Sequence, residues 1–179
     1  LGSRGLKVWD LNSRKLLFTY KFSSGERANS IIARADGKRI VTVHRDRRMR
    51  LWELDLKGKT FKQKKEYRTN SGGFASPVRT HDNKYFFAPD RRVLFAWDLD
   101  KGGEKYRLNS SPRQIAYSSK GSLLVTTHAS GMLRLFDAKN WTFKMGWKAG
   151  DVSLDSLALH PDETFAAIGA RNRADHEQA

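Results

Sequence analysis

Apolar and polar positions alternate along this chain in short runs rather than at helical spacing. Arg39-Ile40-Val41-Thr42-Val43-His44, Tyr85-Phe86-Phe87-Ala88 and Leu123-Leu124-Val125-Thr126-Thr127-His128 are rich in β-branched and aromatic side chains. No stretch keeps a helical period for a dozen residues, so the pattern predicts antiparallel strands. A polar turn precedes each run: Ala35-Asp36-Gly37-Lys38, His81-Asp82-Asn83-Lys84 and Ser118-Ser119-Lys120-Gly121. Before each turn lies another short strand candidate, at Ser30–Ala33, Phe74–Val78 and Arg113–Tyr117. A strand ending on an aromatic residue follows each run. The spacing places fourth strands at Leu16–Phe22, Thr60–Tyr67, Lys105–Leu108 and Trp141–Trp147.

The aromatic strands repeat. Lys7-Val8-Trp9-Asp10-Leu11, Arg50-Leu51-Trp52-Glu53-Leu54, Phe95-Ala96-Trp97-Asp98-Leu99 and Arg134-Leu135-Phe136-Asp137-Ala138 place their aromatics 43, 45 and 39 residues apart. A fifth copy starts at Leu154 and turns at His160-Pro161-Asp162-Glu163. Four strands in a repeat of about 40–45 residues is the period of a propeller blade.

On Trp9-Asp10, Trp97-Asp98, the degenerate Trp52-Glu53 and Phe136-Asp137, and the polar turns, the chain resembles the WD40 family. The resemblance implies an all-β chain of four-stranded antiparallel blades, about four blade equivalents in all. Residues 1–22 are then the second half of a blade. Residues 28–67, 74–108 and 112–148 are full blades, 153–170 the first half of another, and 171–179 a tail. It further implies a β-propeller, completed by the rest of a longer chain or by a second copy, or else a small ring or open arc. Trp9, Trp52, Trp97 and Phe136 become blade-core residues, with Asp46 and Asp90 matching the family's turn aspartate. One departure stands out. The Gly-His pair that the family carries before its inner strand is missing from every repeat, so its buried hydrogen-bond network is expected to be incomplete.

Composition narrows the function. The 179 residues contain no cysteine, which excludes a disulfide scaffold, a Cys-ligated zinc site and thiol catalysis. Apolar runs of four or five residues are too short to span a bilayer as a helix, so no membrane association is expected. Leu1–Gly5 lacks both a leading Met and an apolar run, which reads as a cut or matured end rather than a signal peptide. Together with the absence of cysteine this sets an intracellular, cytoplasmic expectation. Net charge is +15, and it is uneven. Residues 1–100 hold 23 basic against 11 acidic groups, or +12, and the remainder +3.

Candidate chemistry follows that charge. The loop His44-Arg45-Asp46-Arg47-Arg48-Met49-Arg50 and its counterpart Pro89-Asp90-Arg91-Arg92 would bring Arg45, Arg47, Arg48, Arg50, Arg91 and Arg92 to one face, with Arg171 and Arg173 extending it. Guanidinium forks suit carboxylates and phosphates. Lys57, Lys59, Lys62, Lys64 and Lys65 form a second basic run on an outer strand and its leading loop. There, lysines commonly oppose sheet-to-sheet aggregation. His44 and His128 hold equivalent positions and are expected to bond neighbouring backbone. The sequence supplies no catalytic set, metal site or cofactor motif. The chain therefore reads as a non-enzymatic scaffold that docks a protein or acidic peptide on the Arg-rich face. An RNA-associated component of a ribonucleoprotein assembly is the alternative.

Overall fold

The computed structural model describes residues 5–23, 26–68, 77–90 and 93–172, and all regular structure among them is β. None of it is a helix long and apolar enough to cross a membrane. The chain divides into two units, Leu1–Phe74 with Leu99–Gly103, and Ala75–Asp98 with Glu104–Ala179.

The first unit opens with a two-stranded antiparallel sheet, β1 (Gly5–Asp10) and β2 (Lys15–Lys21). Four strands follow in chain order: β3 (Ala28–Ala33), β4 (Arg39–His44), β5 (Arg48–Asp55) and β6 (Thr60–Arg68). In the second unit, β7 (Val78–Arg79), β8 (Tyr85–Asp90), β9 (Val93–Asp98) and β10 (Glu104–Leu108) make one four-stranded sheet. β11 (Gln114–Tyr117), β12 (Leu123–Thr127), β13 (Met132–Asp137) and β14 (Phe143–Lys148) make the next. β15 (Val152–Leu159) and β16 (Ala166–Asn172) pair as a last two-stranded sheet. Neighbours in every sheet are consecutive in the chain, which is the meander of a propeller blade.

One turn recurs at the start of the second strand. Arg34 N–H donates to the Arg39 carbonyl (2.9 Å) and Gly37 N–H to the Arg34 carbonyl (3.0 Å). The same pair of bonds joins Thr80 to Tyr85 and Asn83 to Thr80, Ser118 to Leu123 and Gly121 to Ser118, and His160 to Phe165 and Glu163 to His160. The residue in fourth place is left-handed each time: Gly37 at 66°, Asn83 at 58°, Gly121 at 74° and Glu163 at 65°. Glycine and asparagine adopt that conformation readily, and glutamate does not. The Glu163 carboxylate accepts a hydrogen bond from the Ser122 hydroxyl, which holds it there.

The third and fourth strands are joined by a second recurrent turn. Asp10 accepts Ser13 N–H at 2.8 Å, Asp55 accepts Lys57 and Gly58 N–H at 3.0 Å each, and Asp137 accepts Lys139 N–H at 2.9 Å. The turn bonds that Asp10 and Asp137 make directly after their aromatics are made in the repeat of Trp52 by Asp55, two places beyond Glu53. Just before the aromatic the register of the last two strands slips, between Val8 and Trp9, Leu51 and Trp52, and Leu135 and Phe136. Such a bulge bends the strand and re-aims the ring.

Trp52, Trp97 and Phe136 are buried, Trp52 to 1% exposure. Trp52 packs with Leu6 and Ile40 under Tyr20, Phe22 and Phe61. Phe136 joins Phe87, Leu94, Ile115 and Leu124. Trp9 departs from expectation. It is 52% exposed, because its sheet has two strands and none of the described strands pairs beyond β1. The fourth strand of the β11–β14 sheet also starts later than Trp141. That residue sits in the turn at φ 63°, its ring against Tyr85, Phe87 and Tyr106. Of the first strand expected at Phe74–Val78, only Val78 lies in β7, and residues 74–76 lie outside the described residues.

Candidate partner-docking surface

The loop between β4 and β5 carries the Arg-rich motif. Its centre is a left-handed residue, Arg47 at φ 62°, in the place that Gly131 takes at 78° in the β12–β13 loop. Asp46 accepts the Arg48 amide at 3.1 Å and closes the turn. A bulky residue with positive φ is uncommon, and here it projects from the tip of a turn held by its own neighbours.

The arginines of this motif divide into two kinds. Arg48 and Arg50 belong to β5. Arg50 does not face solvent as expected. Its side chain is 4% exposed and is held by Asp46 at 2.7 Å, Glu66 at 3.0 Å and Glu26 at 3.1 Å. The reason is register: Arg50 lies opposite Thr42 on β4 and Glu66 on β6, so its side chain is covered from both sides. Burial opposes its charge, but the hydrogen bond and charge of Asp46, then Glu26 and Glu66, outweigh it and raise its pKa. Arg48 pairs with Glu66 and more distantly with Asp46. These two guanidinium groups therefore meet three carboxylates, and the base of the patch is neutralised from within.

Arg45 and Arg47 are exposed at the tip. The Arg45 amide donates to the Arg27 carbonyl at 3.1 Å, which sets the exposed Arg27 beside them. Arg68 lies opposite Arg48 across β5 and β6. Arg91, Arg92, Arg173 and the side chain of Asp90 lie outside the described residues. Asp90 itself closes β8 opposite Val93. Arg171 lies on β16 and pairs with Asp155 at 3.1 Å.

The second basic run is spread over different structures. Lys57 and Lys59 sit in the β5–β6 turn, Lys59 at φ 52°. Lys62, Lys64 and Lys65 lie on β6, where Lys64 pairs with Glu53 at 3.1 Å and Lys65 donates to the Lys101 carbonyl at 2.5 Å.

Beneath the Arg loop lies a polar network that sequence reasoning expected to be incomplete. The Trp52 indole N–H donates to the Thr42 hydroxyl at 2.7 Å, and the same hydroxyl meets Nε2 of His44 at 2.7 Å. The histidine comes from the end of the second strand and stands in only partly for the absent Gly-His pair. The network is incomplete as expected, because Nδ1 of this histidine is buried without a hydrogen-bond partner among the described residues. Its expected backbone partner is replaced by a threonine side chain. Thr126 and His128 repeat the pair at 3.0 Å, with Phe136 in place of the indole donor. In the β7–β10 sheet the register puts Ala88 where Thr42 and Thr126 stand. Burial, then the charge of Arg50, lowers the pKa of His44. Burial, then Arg134, lowers that of His128 to about 4, so both rings are neutral at pH 7. The recurrence of Thr-x-His in two repeats was the signal for this network, and Glu26 and Glu66 had none.

Among the described residues no three His, Asp or Glu side chains are grouped to hold a metal ion. No family model matches the chain. WD repeat-containing protein 91 of Danio rerio is 32% identical to it over 88 residues, which are 46% of this chain and 12% of that protein. WD repeat-containing protein 91 of Gallus gallus is 34% identical over 82 residues, 42% of this chain and 11% of that protein. The chain thus matches about an eighth or less of these relatives' length. With the aromatic repeat and the four-stranded antiparallel sheets, these matches support the chain's resemblance to the WD40-type repeat family, as a divergent example.

Proposed function

We propose that the chain is a protein-interaction scaffold without catalytic activity, and that it docks an acidic segment of a protein partner on the loop tip of Arg45 and Arg47, with Arg27 alongside. The observation that carries this reading is the division of labour in the loop. Arg48 and Arg50 are consumed by Asp46, Glu26 and Glu66, and the turn they anchor presents two further guanidinium groups to solvent. A tip fixed in this way loses little conformational entropy on binding, and guanidinium forks take carboxylates in pairs. The relatives' names, which describe WD repeats, support the scaffold class. Arg91 and Arg92 belong to the same proposal by their equivalent place in the sequence.

Completion of the two-stranded sheets is part of the same reading. β1–β2 carries the aspartate turn of third and fourth strands, and β15–β16 the turn of first and second strands. They are complementary halves, to be completed by strands of a longer chain or of a second copy.

The test is titration of a fluorescent hexaglutamate peptide and of an equally long oligouridylate against the 179-residue chain at several salt concentrations. Tighter binding of the peptide supports the scaffold reading. Preference for the oligouridylate, with affinity falling steeply as salt rises, would replace it with the RNA-associated alternative.

A further inference from the structure

A cluster of turns lies inside the second unit, at the start of β8 and β12 and the end of β13. The turns Thr80–Tyr85, Tyr117–Gly121 and Ala138–Trp141 enclose a cavity of about 290 Å³. Its walls are aromatic. Tyr85 and Trp141 meet edge to face, with centroids 5.1 Å apart and rings at 85°, and Tyr117 closes a third side. The Tyr106 hydroxyl donates to the Trp141 carbonyl at 3.1 Å, so the indole wall is anchored to its neighbouring sheet. The floor is Ala138, which is buried, and Gly121 stands against the His81 side chain.

The charged groups at this cavity are His81, Asp82, Lys120 and Lys139. Asp82 is committed: one of its oxygens accepts both the Thr80 hydroxyl at 2.6 Å and the Lys84 amide at 3.0 Å. Asp137, on the strand that ends here, holds the Lys139 and Asn140 amides and pairs with Lys144 at 3.7 Å. Lys120 makes one long bond, 3.3 Å, to the Asp162 carbonyl. The Lys139 ammonium and the His81 ring have no hydrogen-bond partner among the described residues. The nearby acids hold the turns by hydrogen bonds while Asp137 and Glu163 also act as opposite charges on Lys139 and Lys120, and the two ammonium groups stand beside the aromatic walls.

We propose that this cavity binds the anionic side chain of a partner peptide, its carboxylate or phosphate taken by Lys139 and Lys120 and its apolar stem held between Tyr85, Tyr117 and Trp141. An ammonium pair suits either oxyanion, and partial removal from water strengthens the attraction. The site is independent of the Arg45–Arg47 tip, so the two can fail separately.

Phenylacetate, phenyl phosphate and neutral benzyl alcohol are titrated separately against the 179-residue chain. The readout is the indole N–H resonance of Trp141, assigned by its loss in Trp141→Phe. Saturable shifts with an anion, weakened about tenfold in Lys120→Ala/Lys139→Ala and restored toward wild type in Lys120→Arg/Lys139→Arg, are the expected result. Preference for phenylacetate identifies an Asp or Glu side chain as the source, and preference for phenyl phosphate a phosphorylated one. Absence of a shift with both anions, equal binding of benzyl alcohol, or undiminished binding by the double alanine variant overturns the proposal. Both lysines are exposed, and an unchanged thermal transition of each variant confirms that folding is not the cause.

Discussion

Thr42 accepts the indole N–H of Trp52 at 2.7 Å, a side-chain bond that crosses two strands at the centre of the β3–β6 sheet. Removing the hydroxyl leaves a buried N–H and a buried imidazole nitrogen without their partner. Thr42→Val is therefore expected to destabilise the chain by about 2–3 kcal/mol in denaturant titration. Thr126→Val, in a sheet where Phe136 replaces the indole donor and with only His128 to lose, is expected to cost about 1 kcal/mol. Equal losses at the two sites would show that the indole bond contributes nothing.

The aromatic repeat makes unequal demands on its members. Trp97 is buried in a four-stranded sheet, and Trp97→Ala is expected to cost roughly 3–5 kcal/mol. Trp9 occupies the same place in sequence but is half exposed, and Trp9→Ala is expected to cost about 1 kcal/mol or less. The contrast is read from the midpoints of urea unfolding. A large loss at Trp9 would mean that a further strand covers it in solution.

Stability is expected to fall on mild acidification. The unfolded chain protonates His128 near pH 6.5, while the folded chain resists until about pH 4. The contribution is fully present above pH 6.5, decreases as pH falls toward 4 and is exhausted below that, amounting to about 3 kcal/mol. His44 shifts in the same direction and adds to the slope. The depressed carboxylates, Asp137 and Glu163 among them, withdraw their share at lower pH, because folding favours their ionised form. Chemical denaturation between pH 7.5 and 4.5 should show a decline that His128→Gln flattens. An unchanged slope in that variant would place the titrating groups elsewhere.

Glu163 stands in a left-handed turn position that glycine or asparagine fills in the other three copies. Glu163→Ala keeps the strained backbone and loses the bond from Ser122. Glu163→Gly loses the bond but relieves the backbone. The glycine variant is therefore expected to melt above the alanine variant, by a difference of about 1 kcal/mol. The reverse order would mean that the turn is not strained.

Periodicity alone made much of the fold legible, because a sheet with one buried aromatic per repeat writes its period into the chain. Trp52, Trp97 and Phe136 occupy equivalent buried places for that reason. Trp9 has the same local sequence, but burial depends on strands beside it, which no local pattern records. The arginine motif was visible as a loop, yet Arg50 was misjudged. Its side chain is covered by residues 24 positions before it and 16 after it, Glu26 and Glu66, which become neighbours only through the strand register. The cavity at Trp141 was equally invisible. It is assembled from three turns, each of which reads in sequence as an ordinary solvated bend.

The two classes of arginine give the most direct test. Arg50→Ala leaves Asp46, Glu26 and Glu66 without their common partner and is expected to destabilise by about 2–4 kcal/mol. Arg45 and Arg47 have no such role, and changing them is expected to alter stability by about 0.5 kcal/mol or less. The decisive measurement is the affinity of the Arg45→Glu/Arg47→Glu variant for hexaglutamate, beside its thermal midpoint. Loss of at least about tenfold in affinity at an unchanged midpoint is the predicted result. Undiminished affinity in a folded variant would contradict the assignment of this loop tip as the docking surface.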